Sequence, residues 1–271
     1  VTAAAALPAR AVLPTFRHEP LFAGAAVVLA LLSVPLLAAL AIDGRTIGGE
    51  AAVLKPLKFV VALAVYLATL ALYATWLPEA MRRSTWYRLY AAVVVAAIAA
   101  ELAWIGGAAA LGTTSHFNVA TPLGGRLYGL MGILAVVLTS ATLVYGVAIG
   151  RNPATGLPPS VRLALSLGLG ATFVLTLVAA GGMASNLSHH VGTPVTGAAV
   201  PVLGWSREVG DLRIGHFLAT HAMHAVPLAG VVAAALLPER LARAVVGVIA
   251  AGYAALTLAF VATAWAGVAP V

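Results

Sequence analysis

The sequence contains no cysteine, and only 8% of its 271 residues are charged, eight of them acidic. Lack of cysteine rules out disulfides, thiolate metal or haem ligands, and iron–sulfur clusters of the all-cysteine kind. Any metal would have to be held by imidazole and carboxylate. A soluble domain carries about 25% charged residues, so the scarcity of charge excludes an ordinary water-soluble fold. In its place, 62% of the residues are hydrophobic, as expected for an integral membrane protein. The net charge of +7 comes from fifteen Lys and Arg scattered through short connectors. That distribution reads as membrane topology and not as a nucleic-acid surface.

A bilayer span needs about 20 apolar residues, and seven stretches qualify: approximately Leu21–Ile42, Phe59–Leu77, Tyr90–Leu111, Leu127–Ile149, Leu163–Met183, Ile214–Leu237 and Ala244–Val268. Most connectors carry Pro, Gly or charge, as in Asp43-Gly-Arg45 and Gly150-Arg151-Asn-Pro153, which are loop signals. The expected fold is an all-α bundle of seven transmembrane helices. Residues 1–20 form an N-terminal cytoplasmic segment, and 21–271 a single domain with a long outer loop at about 184–213. The first apolar run is too long for a signal peptide and is expected to be a retained span. With the N-terminus inside, the inner segments hold nine basic residues (Arg10, Arg17, Arg82, Arg83, Arg88, Arg151, Arg162, Arg240, Arg243) and the outer ones six. The positive-inside rule then favours N-inside, C-outside. A bacterial cytoplasmic membrane with the polar loops facing outward is the expected location.

Six of the seven histidines fall between His116 and His224, and three occur in His216-Phe-Leu-Ala-Thr-His221-Ala-Met-His224. An imidazole at membrane depth needs a partner such as a metal, a haem iron, a carboxylate or a proton path. At 100° per residue these three project within an arc of about 140°, with His221 roughly 10 Å and His224 roughly 15 Å below Ile214. The simpler alternative is that they hydrogen-bond neighbouring helices and rigidify the bundle. His116 and His190 lie in loops assigned to the same side, so the candidate metal ligands are His116, His190, His216 and His221.

Other polar residues join this set. Glu101 lies mid-span, where an ionised carboxylate costs several kcal/mol, so it should be protonated or paired, with His224 at a similar depth. Asp211 is either a helix N-cap or a carboxylate that orients a metal ligand. Arg213 could anchor a substrate carboxylate or haem propionate. Lys55 and Lys58 either snorkel or attract an anion. Asn118 beside His116, and Trp205 in the long loop, complete the candidates. That loop is rich in Val, Pro and Trp and is expected to pack back as a lid.

The stretches Leu54-Lys55-Pro56-Leu57-Lys58-Phe59, Thr114-Ser115-His116-Phe117-Asn118, His190-Val-Gly192, Leu203-Gly204-Trp205-Ser206 and Gly210-Asp211-Leu212-Arg213 through His216-Phe217 and His221 resemble an uncharacterised family of bacterial seven-span membrane proteins. The resemblance covers about residues 43 to 228. In that family glutamine stands where this chain has His224, which argues against His224 as an obligatory ligand. The resemblance implies the placement of the motifs but no activity.

Three functions are compatible with these residues. The first is a metal- or haem-dependent membrane enzyme, an oxidoreductase or a metal hydrolase, using Zn, Fe or Cu or haem b and acting on a lipophilic or anionic small molecule. Imidazole and carboxylate suit all these metals. The second is a proton-coupled transporter or channel through Glu101 and His224. The third is a non-catalytic ligand-binding subunit with a membrane-protein partner.

Overall fold

The computed structural model describes residues 16–201 and 203–269, so most of the 1–20 segment lies outside the described residues. Seven helices are long and apolar enough to cross a membrane, and the chain is an all-α multi-pass membrane protein. The helices are α1 (Pro20–Ile42), α2 (Leu54–Tyr73, extended by a 3₁₀ turn, Ala74–Trp76), the short α3 (Glu79–Arg83), α4 (Thr85–Ala110), α5 (Pro122–Arg151), α6 (Pro159–Asn186), α7 (Leu212–Leu236) and α8 (Glu239–Trp265). Several start at proline or just after it: Pro20, Pro122 and Pro159 occupy first positions, while Pro78 and Pro238 immediately precede α3 and α8. Proline is pre-set for the first turn, where its missing N–H costs nothing. Most helices outrun the apolar windows, because end turns at the interface accept charged residues such as Lys55, Arg88, Arg126, Arg162 and Arg213. The Pro78–Arg83 connector, expected as loop, contains α3.

Short strands join some helices. β1 (Thr46–Ile47) and β2 (Glu50–Ala51) form a hairpin turned by Gly48 and Gly49 at φ +58° and +83°, a conformation that suits glycine. β3 (His190–Val191) pairs antiparallel with β4 (Gly210–Asp211), His190 opposite Asp211.

The chain divides into two compact units, one up to Ala141 and one from Thr142. In the first, α1 packs along α2 and both meet α4. Tyr66 Oη donates to the Leu138 carbonyl at 2.6 Å, and Tyr90 Oη bonds Ser140 Oγ at 2.7 Å. These bonds tie the first part of α5 to α2 and α4.

In the second unit α6, α7 and α8 pack on one another, with Leu175, Ala179, Leu212, Ala219, Val261 and Ala264 in one core cluster. Glycine sets the helix separation: a Cβ on Gly230 would lie 2.3 Å from Ala164 Cβ, and one on Gly168 2.8 Å from both the Ala222 carbonyl and Pro227 Cδ. Small residues allow close backbone approach where lipid supplies no hydrophobic drive between helices. Gly230→Val is expected to destabilise the protein by about 1–3 kcal/mol through overpacking, whereas Gly181→Ala, with nothing within 4 Å of the added Cβ, should be neutral or better. Thermal unfolding in detergent tests this, and equal melting temperatures for both variants would refute it.

Candidate functional site

The predicted site residues divide between the units: Lys55, Lys58, Glu101, His116 and Asn118 belong to the first, and His190, Trp205, Asp211, Arg213, His216, His221 and His224 to the second.

In the first unit Lys55 opens α2 and is half-buried, while Lys58, one turn on, is exposed. Glu101 on α4 is only 4% exposed, and its Oε1 has no hydrogen-bond partner among the described residues. The Lys55 ammonium lies within electrostatic range of both Glu101 and Glu50. A buried carboxylate needs such compensation. Lys55 is therefore an electrostatic neighbour of Glu101 within its own unit, without a direct ion pair among the described residues, and this was not anticipated from the sequence.

The loop before α5 sits beside this pair. Trp104 Nε1 donates to the Ser115 carbonyl at 2.9 Å, and Ser115 Oγ lies 3.1 Å from His116 Nδ1. The His116 ring packs against Phe59 and Tyr128 at centroid distances of 5.6 and 6.4 Å. Phe117 adopts φ +59°, an uncommon conformation for a bulky residue, and Asn118 Nδ2 donates to the Thr114 carbonyl at 3.1 Å. Asn118 thus braces the turn that presents His116.

In the second unit the long loop folds back as a hairpin. Its base is the β3–β4 ladder, Ala199 bridges Ser206 further out, and Val200 N–H donates to the Trp205 carbonyl at 2.8 Å. Glu208 accepts from the N–H groups of Val195, Thr196 and Ala198 and from the Thr196 hydroxyl. Those hydrogen bonds hold its carboxyl down at about 2. The loop is anchored to the helices at Gly210, whose Cα has no room for a side chain because a Cβ would lie 1.9 Å from the Ala264 carbonyl on α8.

Asp211 closes the hairpin and is completely buried. It is the N-cap of α7, with Oδ1 accepting from Arg213 N–H at 3.0 Å. The Arg213 guanidinium grips the same carboxylate in a fork, Nε on Oδ1 at 2.9 Å and Nη2 on Oδ2 at 2.6 Å, and Ser206 N–H donates to Oδ2 at 2.9 Å. Arg213 Nη2 also reaches the Gly204 carbonyl at 2.5 Å and His190 Nε2 at 3.3 Å. Burial works to raise the Asp211 carboxyl, but the His190 ring, the Arg213 fork with its charge and the Ser206 N–H outweigh it and hold the group well below its ordinary value. The same His190 Nε2 lies 3.6 Å from Asp211 Oδ2, so the ring sits between the guanidinium and the carboxylate.

The imidazole face of α7 lies below this network. His221 Nδ1 is 2.7 Å from the Phe217 carbonyl. A carbonyl can only accept, so Nδ1 carries a proton, and in the neutral tautomer that this contact selects the lone pair is on Nε2. Phe217 stacks on the His221 ring at 4.0 Å and meets Trp205 of the loop at 5.4 Å. The His221 and His224 rings are 5.6 Å apart. His216 Nδ1 is buried with no hydrogen-bond partner among the described residues. No group of three or more His, Asp or Glu among those residues is placed to hold one ion.

Glu208 was not among the candidate residues, and Gly204 and Ser206 entered only as members of the Leu203-Gly204-Trp205-Ser206 motif, with no role assigned. Glu208 carried a signal, since it and Asp211 are the only acids between residues 102 and 238. That the Gly204 carbonyl would accept from Arg213 was not legible, because a backbone acceptor's role leaves no trace in a sequence. No family model, curated protein or solved structure matches the chain.

Two predictions follow from these networks. Asp211→Asn should weaken loop closure by on the order of 3 kcal/mol, the cost of breaking a buried ion pair. Limited trypsin digestion at exposed Arg207 reads this as faster cleavage. Because the folded carboxyl titrates below the ordinary 3.8, the stabilisation is fully present above about pH 4 and is lost as pH falls through the folded value; unchanged cleavage in the variant would refute the role. In the first unit, Lys55→Met should destabilise more than the double variant Lys55→Met/Glu101→Gln, since the single change leaves a buried carboxylate uncompensated. Equal melting temperatures would show the pair to be uncoupled.

Proposed function

We propose that the protein is a membrane-embedded haem- or metal-dependent redox protein whose cofactor is ligated from the imidazole face of α7. The observation that carries this reading is the His221 ring, fixed on the Phe217 carbonyl with Nε2 left to act as a Lewis base. Metal-binding histidines are commonly oriented this way, through a hydrogen bond on the other ring nitrogen. His216, with its buried Nδ1 lacking a partner among the described residues, is the second candidate ligand on the same face.

The donor set favours haem over a mononuclear hydrolase. A catalytic zinc takes three protein ligands, whereas a haem iron needs only one or two imidazoles. A haem would supply one-electron chemistry. The chain's own residues supply position and enclosure. Phe217 and Trp205 form an aromatic wall beside His221, and the Asp211–Arg213–His190 network secures the loop that carries Trp205. Asp211 and Arg213 are thus positioning residues, and His190, a further candidate ligand, lies against the same network. His116, steadied by Ser115, is a candidate ligand within the first unit. The expected setting is the bacterial cytoplasmic membrane with this end outward, and a lipophilic or anionic small molecule is the expected substrate.

A second reading, proton-coupled transport, draws support from one feature, the buried Glu101 carboxyl group, one oxygen of which has no hydrogen-bond partner among the described residues. Glu101-dependent proton flux in liposomes would favour it.

The absorption spectrum and metal content of the purified protein test the leading reading. Pigment or stoichiometric metal is expected in the wild type, and its loss in His221→Ala. Colourless, metal-free protein from cells supplied with haem and iron would overturn it.

A further inference from the structure

The other end of the second unit carries a cleft of about 490 Å³ lined by Arg151, Arg162 and Arg243 together with Ser166, Val147 and Leu163. The three arginines come from the last residue of α5, the first turn of α6 and the first turns of α8. The charge count treats them as topology markers, yet the fold brings them to a single opening.

Their environment is unusual for guanidinium groups. The only acid in residues 142–186 and 237–271 is Glu239, and its carboxylate is engaged by Ser160 through N–H at 2.7 Å and Oγ at 3.0 Å. None of the three arginines forms an ion pair among the described residues. Arg162 is held in place, Nη1 donating to the Asn152 carbonyl at 3.0 Å, while Arg151 and Arg243 are exposed. Gly150 keeps the Ser166 hydroxyl uncovered, because a Cβ there would lie 2.5 Å from Ser166 Oγ. Three guanidiniums at close quarters repel one another unless an anion joins them, and guanidinium matches phosphate oxygens in a fork.

We infer that this cleft is a binding site for a phosphate-bearing anion, with the headgroup of an anionic phospholipid as the fitting source. Guanidinium and hydroxyl groups supply donors, and Val147 and Leu163 supply an apolar wall. That amphipathic lining suits a phosphodiester joined to acyl chains. The volume falls in the range of small-molecule sites and exceeds what a lone phosphate would fill. The site is independent of the α7 cofactor reading.

Native mass spectrometry of the full chain in detergent provides the test, with phosphatidylglycerol, phosphatidylcholine and inorganic phosphate as probes. The wild type should retain phosphatidylglycerol in preference to phosphatidylcholine. Arg151→Gln/Arg243→Gln should weaken retention roughly tenfold or more, the scale of losing charge-assisted hydrogen bonds. Arg240→Gln should leave retention unchanged, since exposed Arg240 does not line the cleft. Retention that millimolar inorganic phosphate does not displace identifies the lipid as the source; displacement identifies a soluble phosphate. Both altered side chains are exposed, so the fold should survive, and an unchanged melting temperature checks it. Equal retention of the two lipids, or retention and phosphate binding unaltered in the double variant, would overturn the proposal.

Discussion

The Asp211 carboxylate is the group on which the polar end of the second unit depends. It is wholly enclosed, and both oxygens are occupied by α7's first turn, the Arg213 fork and the Ser206 N–H. One side chain thus starts a membrane helix, fixes the tip of a long loop and neutralises an arginine. A buried charge is tolerated only when paired and hydrogen-bonded, and here the pairing decides the geometry. Arg213 has to point back into the loop, so it reaches the Gly204 carbonyl and His190. The loop then places Trp205 against Phe217, and Phe217 against His221.

The first unit meets the same demand differently. Glu101 is on a helix interior, and the compensating charge is that of Lys55 on another helix. Such a pair is less fully satisfied than Asp211, as the unbonded Oε1 indicates. The contrast separates Asp211, whose oxygens are both hydrogen-bonded, from Glu101, whose Oε1 has no hydrogen-bond partner among the described residues.

The spans were legible because hydropathy at bilayer length leaves few alternatives, and the N-cap option at Asp211 and the folded-back loop could be read from residue type and composition. The Asp211–Arg213 fork could not. Side chains two apart do not face each other on a helix, and the pair forms only because Asp211 sits at φ −126°, ψ 104°, outside the helical region. Lys55–Glu101 was hidden for another reason, since the partners come from different spans and the sequence offers no register between them. For the histidines, helix periodicity put His216, His221 and His224 on one face but could not say which nitrogen each would present. That information comes from the Phe217 carbonyl. The arginine cleft was invisible because a charge count records the side of a residue and not its neighbours.

The seat of Gly210 on Ala264 bears on how the protein is made. The β3–β4 base of the loop rests against the last turn of α8, which is synthesised more than fifty residues later. The Asp211 network can form its local bonds earlier, but its platform exists only once the final helix has entered the membrane. A chain stalled before α8 would therefore carry an unseated loop, and the polar end is completed only after α8 is in place.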